Sequence, residues 1–198
     1  MAAARLAARL VRDPLVIGPS GVRSPMAAGD PDAQFDAFYT ACFSRVRKAL
    51  GALTHDTHAA EDATQEAFVR AKRHWPKLMA YDKPEAWVQR VAFQRLRRIQ
   101  RSRRDQPTDE STVEHPDPGA DLADEVAQRE ELYAAIRTLP RRRAEVIVLC
   151  HLRGYSRCEV ATMLRITEST VRTHLALAEA QLHRLLGLPD TGHQGETG

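Results

Sequence analysis

Apolar residues recur at helical intervals from Phe35 to Leu185, and no segment of any length alternates apolar with polar as a strand does. That periodicity restricts the chain to helices packed on helices. In the first predicted helix, 31–53, Phe35, Phe38, Tyr39, Cys42, Phe43, Val46, Leu50 and Leu53 keep the spacing, and Asp30 and Pro31 supply cap and first turn. A second helix, 59–75, follows the capping candidates Asp56 and Thr57, turns Ala60, Ala63, Ala67, Phe68 and Ala71 inward, and stops at Pro76. A third, 84–104, carries Trp87, Val88, Val91, Ala92, Leu96 and Ile99. These three are expected to close one core.

The pattern then breaks. From Asp105 to Ala123 the chain holds Pro107, Pro116, Pro118 and Gly119, six acids, and no Lys or Arg. Such a stretch cannot bury enough apolar surface to order itself and reads as a mobile linker. Four helices are predicted beyond it: 122–138, with Val126, Leu132, Tyr133, Ile136 and Leu139 inward; 140–153, ended by Gly154; one opening at Ser156; and one after Thr167. Ser156 and Glu159 have the spacing of a capping box. The last helix carries the stripe Val171, Leu175, Ala178, Leu182 and Leu185. The expectation is an all-α chain of two small helical domains, 31–104 and 122–187, joined by a flexible acidic linker, 105–121. Both ends, 1–30 and 188–198, are expected to be disordered. Met26 is a candidate start, because the first 25 residues are Gly- and Pro-broken and lack the apolar core of a secretory signal.

Charge points to a partner. Net charge is only +3, so a basic surface must come from clustering. Between Trp87 and Arg104 there is no acid, and Arg90, Gln94, Arg97, Arg101 and Arg104 share one helical face, widened by Arg95, Arg98 and Arg103. Like charges at helical neighbours repel unless an anion lies between them, so this face is expected to hold nucleic acid, with Trp87 and Phe93 as stacking candidates for unpaired bases. The capped helix at Ser156, a short turn and the longer helix after Thr167 form a helix-turn-helix. In that motif the second helix enters the major groove. Here Ser169, Arg172, Thr173 and Ala176 lie opposite the apolar stripe, and an Arg at such a position reaches guanine bidentately. Arg165 falls in a turn that favours Gly or Asn. Asp62, Gln65, Glu66 and Val69 share a third face. Its acids suggest a metal-dependent nuclease, but no second acidic cluster is evident. The three cysteines, Cys42, Cys150 and Cys158, make no C-x-x-C pair and are expected to be buried thiols rather than disulfide or zinc ligands. No cofactor and no catalytic residue is expected.

Taken in order, these segments resemble a family. Asp62-Ala63-Thr64-Gln65-Glu66-Ala67-Phe68 resembles the D-x-x-Q-E-x-F segment of domain 2 of sigma factors, and Ala86-Trp87-Val88-Gln89-Arg90-Val91-Ala92 the promoter-melting helix that follows it. Leu139-Pro140, Gly154-Tyr155-Ser156, Glu159-Val160-Ala161 and Glu168-Ser169-Thr170-Val171-Arg172-Thr173 resemble domain 4. The chain is thus similar, over 35–187, to extracytoplasmic-function sigma factors of the sigma-70 family, the absent third domain marking that subgroup.

The resemblance implies a cytoplasmic, non-enzymatic subunit with defined contacts. Asp62, Gln65 and Glu66 dock on the coiled coil of the polymerase β′ subunit, with the β flap a further polymerase contact. Trp87, Arg90, Gln94, Arg97, Arg98 and Arg101 hold the opened −10 element. Arg165, Glu168, Ser169, Arg172 and Thr173 read the −35 element. An anti-sigma factor is a further partner. The sequence departs from the family at Gln94, where Asn is usual, at Arg165, where Gly is usual, and at His174 and Leu177, where Arg is frequent. Thr170 to Leu175 also resembles the helix-turn-helix of LuxR-type regulators, but the helical first part argues against the alternating strands and helices of a receiver domain.

Overall fold

The computed structural model describes residues 30–105 and 120–187. Among them every regular element is helical: α1 Pro31–Gly51, α2 Thr57–Arg73, α3 Trp75–Leu78, α4 Pro84–Asp105, α5 Ala120–Arg137, α6 Arg141–Ile147, α7 Arg157–Leu164 and α8 Glu168–Leu185. The expected linker and both tails fall largely outside the described residues.

Local chemistry sets the helix starts. The Asp30 carboxylate accepts from the Asp32 amide at 3.1 Å, with Pro31 in the first turn. Asp56 accepts from the Ala59 amide at 2.8 Å and opens α2. Each satisfies a donor that the helix leaves free. The inward face of α2 is almost all alanine, namely Ala59, Ala60, Ala63, Ala67 and Ala71, so α2 packs closely against α4, whose Val88, Ala92, Phe93 and Leu96 are buried. One end of this bundle is closed by aromatic rings. Trp75 lies edge-on to Phe35 at 5.4 Å and 4.9 Å from Phe38, while Phe68 contacts Phe38, Tyr39 and Phe43. Phe68 is fully enclosed, so truncation to Ala should cost about 3–5 kcal/mol. α2, expected to run to Trp75 and stop at Pro76, ends earlier, at Arg73 with His74 as its cap, and Pro76 instead sits in the first turn of α3, where a proline's missing amide costs nothing.

In the second half, α6 does not run on as one regular helix to Arg153. From Val148 to Leu152 it widens to a π-helical turn, and Gly154, at φ 68°, then reverses the chain. The predicted capping box is present: Ser156 Oγ accepts from the Glu159 amide, and the Glu159 carboxylate accepts from the Ser156 amide at 2.8 Å. Arg165 ends α7 in the left-handed region, at φ 55° and ψ 51°. Val171, Ala178 and Leu182 bury the inner stripe of α8, but Leu185, expected inside, is 51% exposed in the helix's last turn. The cysteines divide: Cys42 is buried, Cys150 half-buried, and Cys158, on the outer face of α7, exposed, against the expectation of burial.

The two helix groups are not apart. α4 packs against α7, and α1 against the π-helical turn. A cavity of about 390 Å³ lies between them, walled by Phe93, Leu96 and Arg97 on one side and Leu139, Ala144 and Glu145 on the other.

Candidate nucleic-acid interface

α4 sorts its arginines by what lies beneath each. Its buried stripe (Val88, Gln89, Ala92, Phe93, Leu96) leaves Gln94, Arg98 and Arg101 exposed and Arg90, Arg97 and Trp87 half-buried. Gln94 therefore stands outward on the basic face, as its spacing predicts. Two of the widening arginines are already occupied: Arg95 meets Glu66 of α2 at 2.5 Å, and Arg103 pairs with Asp56. They tie α4 to α2 rather than waiting for an anion. Arg97 is occupied too, as its Nε and Nη2 donate to the two oxygens of Glu145 at 2.6 and 2.7 Å. The stacking expectation for Phe93 is overturned, because Phe93 is only 3% exposed and fills the core beside Leu96. Trp87 keeps part of its ring outward, edge-on to His74 at 6.3 Å.

α7 and α8 have the geometry of a helix-turn-helix. Thr167 caps α8, its hydroxyl accepting from the Thr170 amide at 3.2 Å and meeting the Ser169 hydroxyl at 2.9 Å. Glu168, Ser169, Arg172, Thr173 and Ala176 are all exposed on the outer face, with Arg165 exposed in the turn before it. Arg172 makes no ion pair among the described residues, whereas Glu168 lies 3.8 Å from Arg157. Thr173 donates to the Ser169 carbonyl at 3.1 Å, which fixes its rotamer. Farther along, His174 is half-buried and Leu177 is 43% exposed, so the outer face ends in apolar surface.

On α2, Asp62 and Gln65 are exposed, and Gln65 donates weakly to Glu61 at 3.4 Å. Glu66 is held by Arg70 and Arg95. Two cations on one carboxylate leave it poorly placed to ligate a metal, and among the described residues no three His, Cys, Asp or Glu side chains gather for one. The exposed apolar side chains Val69 and Tyr39 lie on α2 and α1. A surface that mixes acids with exposed apolar groups suits a protein partner better than a metal ion.

The residues that sequence reasoning missed lie between the two helix groups. Glu145 is 2% exposed and receives Arg97, with Arg142 at 3.1 Å and Arg141 at 3.7 Å. Burial and the neighbouring charges of Arg97, Arg101 and Arg142 push the Arg141 guanidinium below its usual pKa, against the pull of Glu145. Arg153 is buried, donating to Gln89 at 3.1 Å and pairing with Glu85, which also takes Arg45 at 3.3 Å. Lys83 pairs with Glu159, and Arg137 donates to the Gly51 carbonyl at 3.2 and 2.7 Å. Glu145 left one trace in the sequence: it is the single acid in Ala144 to Leu149, a run otherwise wholly apolar and buried.

Comparison with known proteins accords with this geometry. The family described as Sigma-70 region 2 matches residues 38–106, and that described as Sigma-70, region 4 matches residues 129–182. The probable RNA polymerase sigma factor RfaY of Xanthomonas campestris is 30% identical over 183 residues, which cover 86% of this chain but 45% of RfaY, so the chain spans less than half that relative's length. The ECF RNA polymerase sigma factor SigL of Mycobacterium tuberculosis is 32% identical over 138 residues, covering 68% of this chain and 78% of SigL. SigM of the same species is 28% identical, covering 83% of each chain. Among solved structures, RpoE in complex with the anti-sigma factor NepR, from Bartonella quintana, shares the fold with a TM-score of 0.65 at 19% identity, over 79% of this chain and 99% of RpoE. CnrH in complex with the cytosolic domain of CnrY does so with a TM-score of 0.59 at 21% identity, over 96% and 100%.

Proposed function

The chain belongs to the sigma-70 family, among its extracytoplasmic-function members, and on that premise we propose that it binds core RNA polymerase and directs it to promoters whose −35 element α8 reads and whose −10 element α4 holds open. The observation that carries this reading is the outer face of α8, where Ser169, Arg172 and Thr173 stand exposed on a capped helix behind a left-handed turn. Base edges are read by side chains free to reach them, and phosphates by cations that fix register. The exposure of Arg172 supports the first task for it, and the exposure of Arg165 in the turn supports the second.

On α4, Arg98 and Arg101 hold the backbone of the separated strand, and Gln94, a neutral amide between them, reads a base edge. The half-buried Trp87 offers the ring against which an unstacked base is replaced. On α2, Asp62 and Gln65 with Val69 form the docking surface for the polymerase β′ coiled coil. Glu66, neutralised by Arg70 and Arg95, orients α2 on α4. All bond making belongs to the polymerase, so this chain acts as a recognition subunit in the cytoplasm, where an anti-sigma factor is an expected regulator.

The test is reconstitution. The purified chain is expected to co-elute with core polymerase and to support run-off transcription from its own promoter. Asp62→Ala with Gln65→Ala should abolish co-elution while leaving the helical circular dichroism unchanged. Duplex binding with no association to core polymerase would overturn the proposal in favour of an operator-binding regulator.

A further inference from the structure

The cavity of about 390 Å³ has two kinds of wall. Leu53, Leu96 and Leu139 supply apolar surface, and the charged lining is four arginines with Glu145 as the one acid. Small-molecule sites of roughly 300–1,000 Å³ combine an apolar lining with a few polar groups that fix orientation. We propose that this cavity binds a nucleoside polyphosphate, with its phosphates on Arg141 and its base against the leucines beside the Gln100 amide. The site stands apart from the promoter role proposed above.

Three observations carry the assignment. First, the lining cations are unequally engaged. Arg137 is committed to the Gly51 carbonyl and Glu130, Arg103 to Asp56, and both prongs of Arg97 to Glu145. Arg141 differs: it makes no hydrogen bond among the described residues. Its Nε stays 3.7 Å from the Glu145 oxygen that already takes Arg97, too far for a hydrogen bond. A guanidinium has five N–H donors in a planar fork, and that fork takes two oxygens of a phosphate at once.

Second, positive charge exceeds negative at this wall. Arg97, Arg141 and Arg142 all turn to the single carboxylate of Glu145. Burial, and then the crowding of Arg97, Arg101 and Arg142, holds the Arg141 guanidinium below its ordinary pKa in spite of Glu145. Added negative charge relieves that crowding, and a polyphosphate supplies several charges where a fatty acid supplies one. Third, Gln100 is half-buried on the cavity wall and has no hydrogen-bond partner among the described residues. Its amide carries donors and an acceptor together, the pair with which a glutamine side chain meets the edge of a base. A fatty acid would leave that amide unused.

The lining comes from Leu53 and α4 on one side and from Arg137, Leu139 and α6 on the other. A molecule bound there touches both helix groups, so it stabilises the folded chain and raises its thermal midpoint with concentration.

The test uses the full chain in Mg²⁺-free buffer with ATP, GTP, inorganic tripolyphosphate and adenosine as probes. Isothermal titration calorimetry gives affinity and stoichiometry, and thermal melts give the coupling to folding. At least one of the two nucleotides is expected to bind once per chain and to raise Tm. Adenosine, which lacks phosphate, and tripolyphosphate, which lacks a base, should each bind more weakly than that nucleotide. Arg141→Ala is expected to weaken nucleotide binding on the order of tenfold to a hundredfold, the scale of a charge-assisted hydrogen-bonded contact. Gln100→Ala should weaken the nucleotide and leave tripolyphosphate unchanged. Arg73→Ala, at an exposed arginine of α2 outside the cavity, should change neither.

Tripolyphosphate that binds as tightly as both nucleotides, with Gln100→Ala without effect, identifies a polyanion on surface arginines and overturns the proposal. Absence of saturable binding by both nucleotides at millimolar concentration overturns it too. If Arg141→Ala loses its helical circular dichroism, Gln100→Ala decides alone, since that amide holds no contact within the fold, and an unchanged nucleotide affinity then refutes the site. Run-off transcription reads the promoter role separately, so either reading can fail without the other.

Discussion

Arg165 offers a way to pull folding and DNA contact in opposite directions with one substitution. It is the only non-glycine residue at positive φ among the described residues, at φ 55°. A side chain in that conformation crowds Cβ against the following carbonyl and costs roughly 1–2 kcal/mol. Arg165→Gly removes the crowding while leaving the bond from its amide to the Ala161 carbonyl, and no packing is lost because the side chain is exposed. Glycine gives back about 0.5–1 kcal/mol through the larger backbone entropy of the unfolded chain. The net gain is about 0.5–1 kcal/mol, or roughly 2–4 °C in Tm for a cooperative unit of this size. DNA binding should move the other way. Losing one phosphate contact flattens the dependence of log K on log salt by about 0.9. Thermal unfolding followed by circular dichroism measures the first effect, and anisotropy with a −35 duplex between 50 and 200 mM salt, about the range over which such contacts are read, measures the second. A lower Tm refutes the strain argument, since it means the arginine side chain stabilises the turn by a contact stronger than the crowding. An unchanged salt slope removes Arg165 from the DNA.

Three further outcomes are expected. Arg172→Ala should weaken duplex −35 binding by about 1–3 kcal/mol and relax preference at one base pair, whereas equal loss on every sequence identifies a phosphate contact instead. In open-complex assays with holoenzyme, Arg98→Ala with Arg101→Ala should slow opening at all promoters and flatten its salt dependence, while Gln94→Ala should alter preference among −10 variants with little change in slope; a uniform effect of Gln94→Ala contradicts its role as reader. Burial alone would raise the Glu159 carboxyl, but hydrogen bonds from Lys83 and Ser156 and the Lys83 charge outweigh it and hold the group below its ordinary 4.5. A carboxyl depressed on folding contributes stability that is complete above that value and is lost as pH falls through the lower folded one. Glu159→Gln should therefore shrink the acid-induced loss of stability in a pH series of thermal melts, and an unchanged acid limb would show that the pairing has no part in it.

Much of this could be read along the chain because it is decided locally. Helix starts depend on a residue and its next three neighbours, so Asp30, Asp56 and Ser156 declared their caps in sequence, and Arg165 announced a strained turn. The 3.6-residue period placed Ala63, Phe68, Ala92, Leu132 and Val171 inward and Gln94 and Arg172 outward, since one face of each helix must leave water. Periodicity fails where two helices compete for one residue. Phe93, a stacking candidate by its place in an acid-free arginine run, is instead buried with Leu96, which only packing decides. Leu185 extended the stripe of α8 in sequence but is exposed in the helix's last turn. Charge is the sharper case. A run of arginines without acids predicts an anion, yet Arg95, Arg97 and Arg103 find theirs in Glu66, Glu145 and Asp56, two of them from α2 and its cap and the third from 48 residues away. Side-chain period depends on the local backbone alone, and the sequence specifies it; which cation meets which carboxylate depends on how separate helices cross, and that is settled only when the chain has packed.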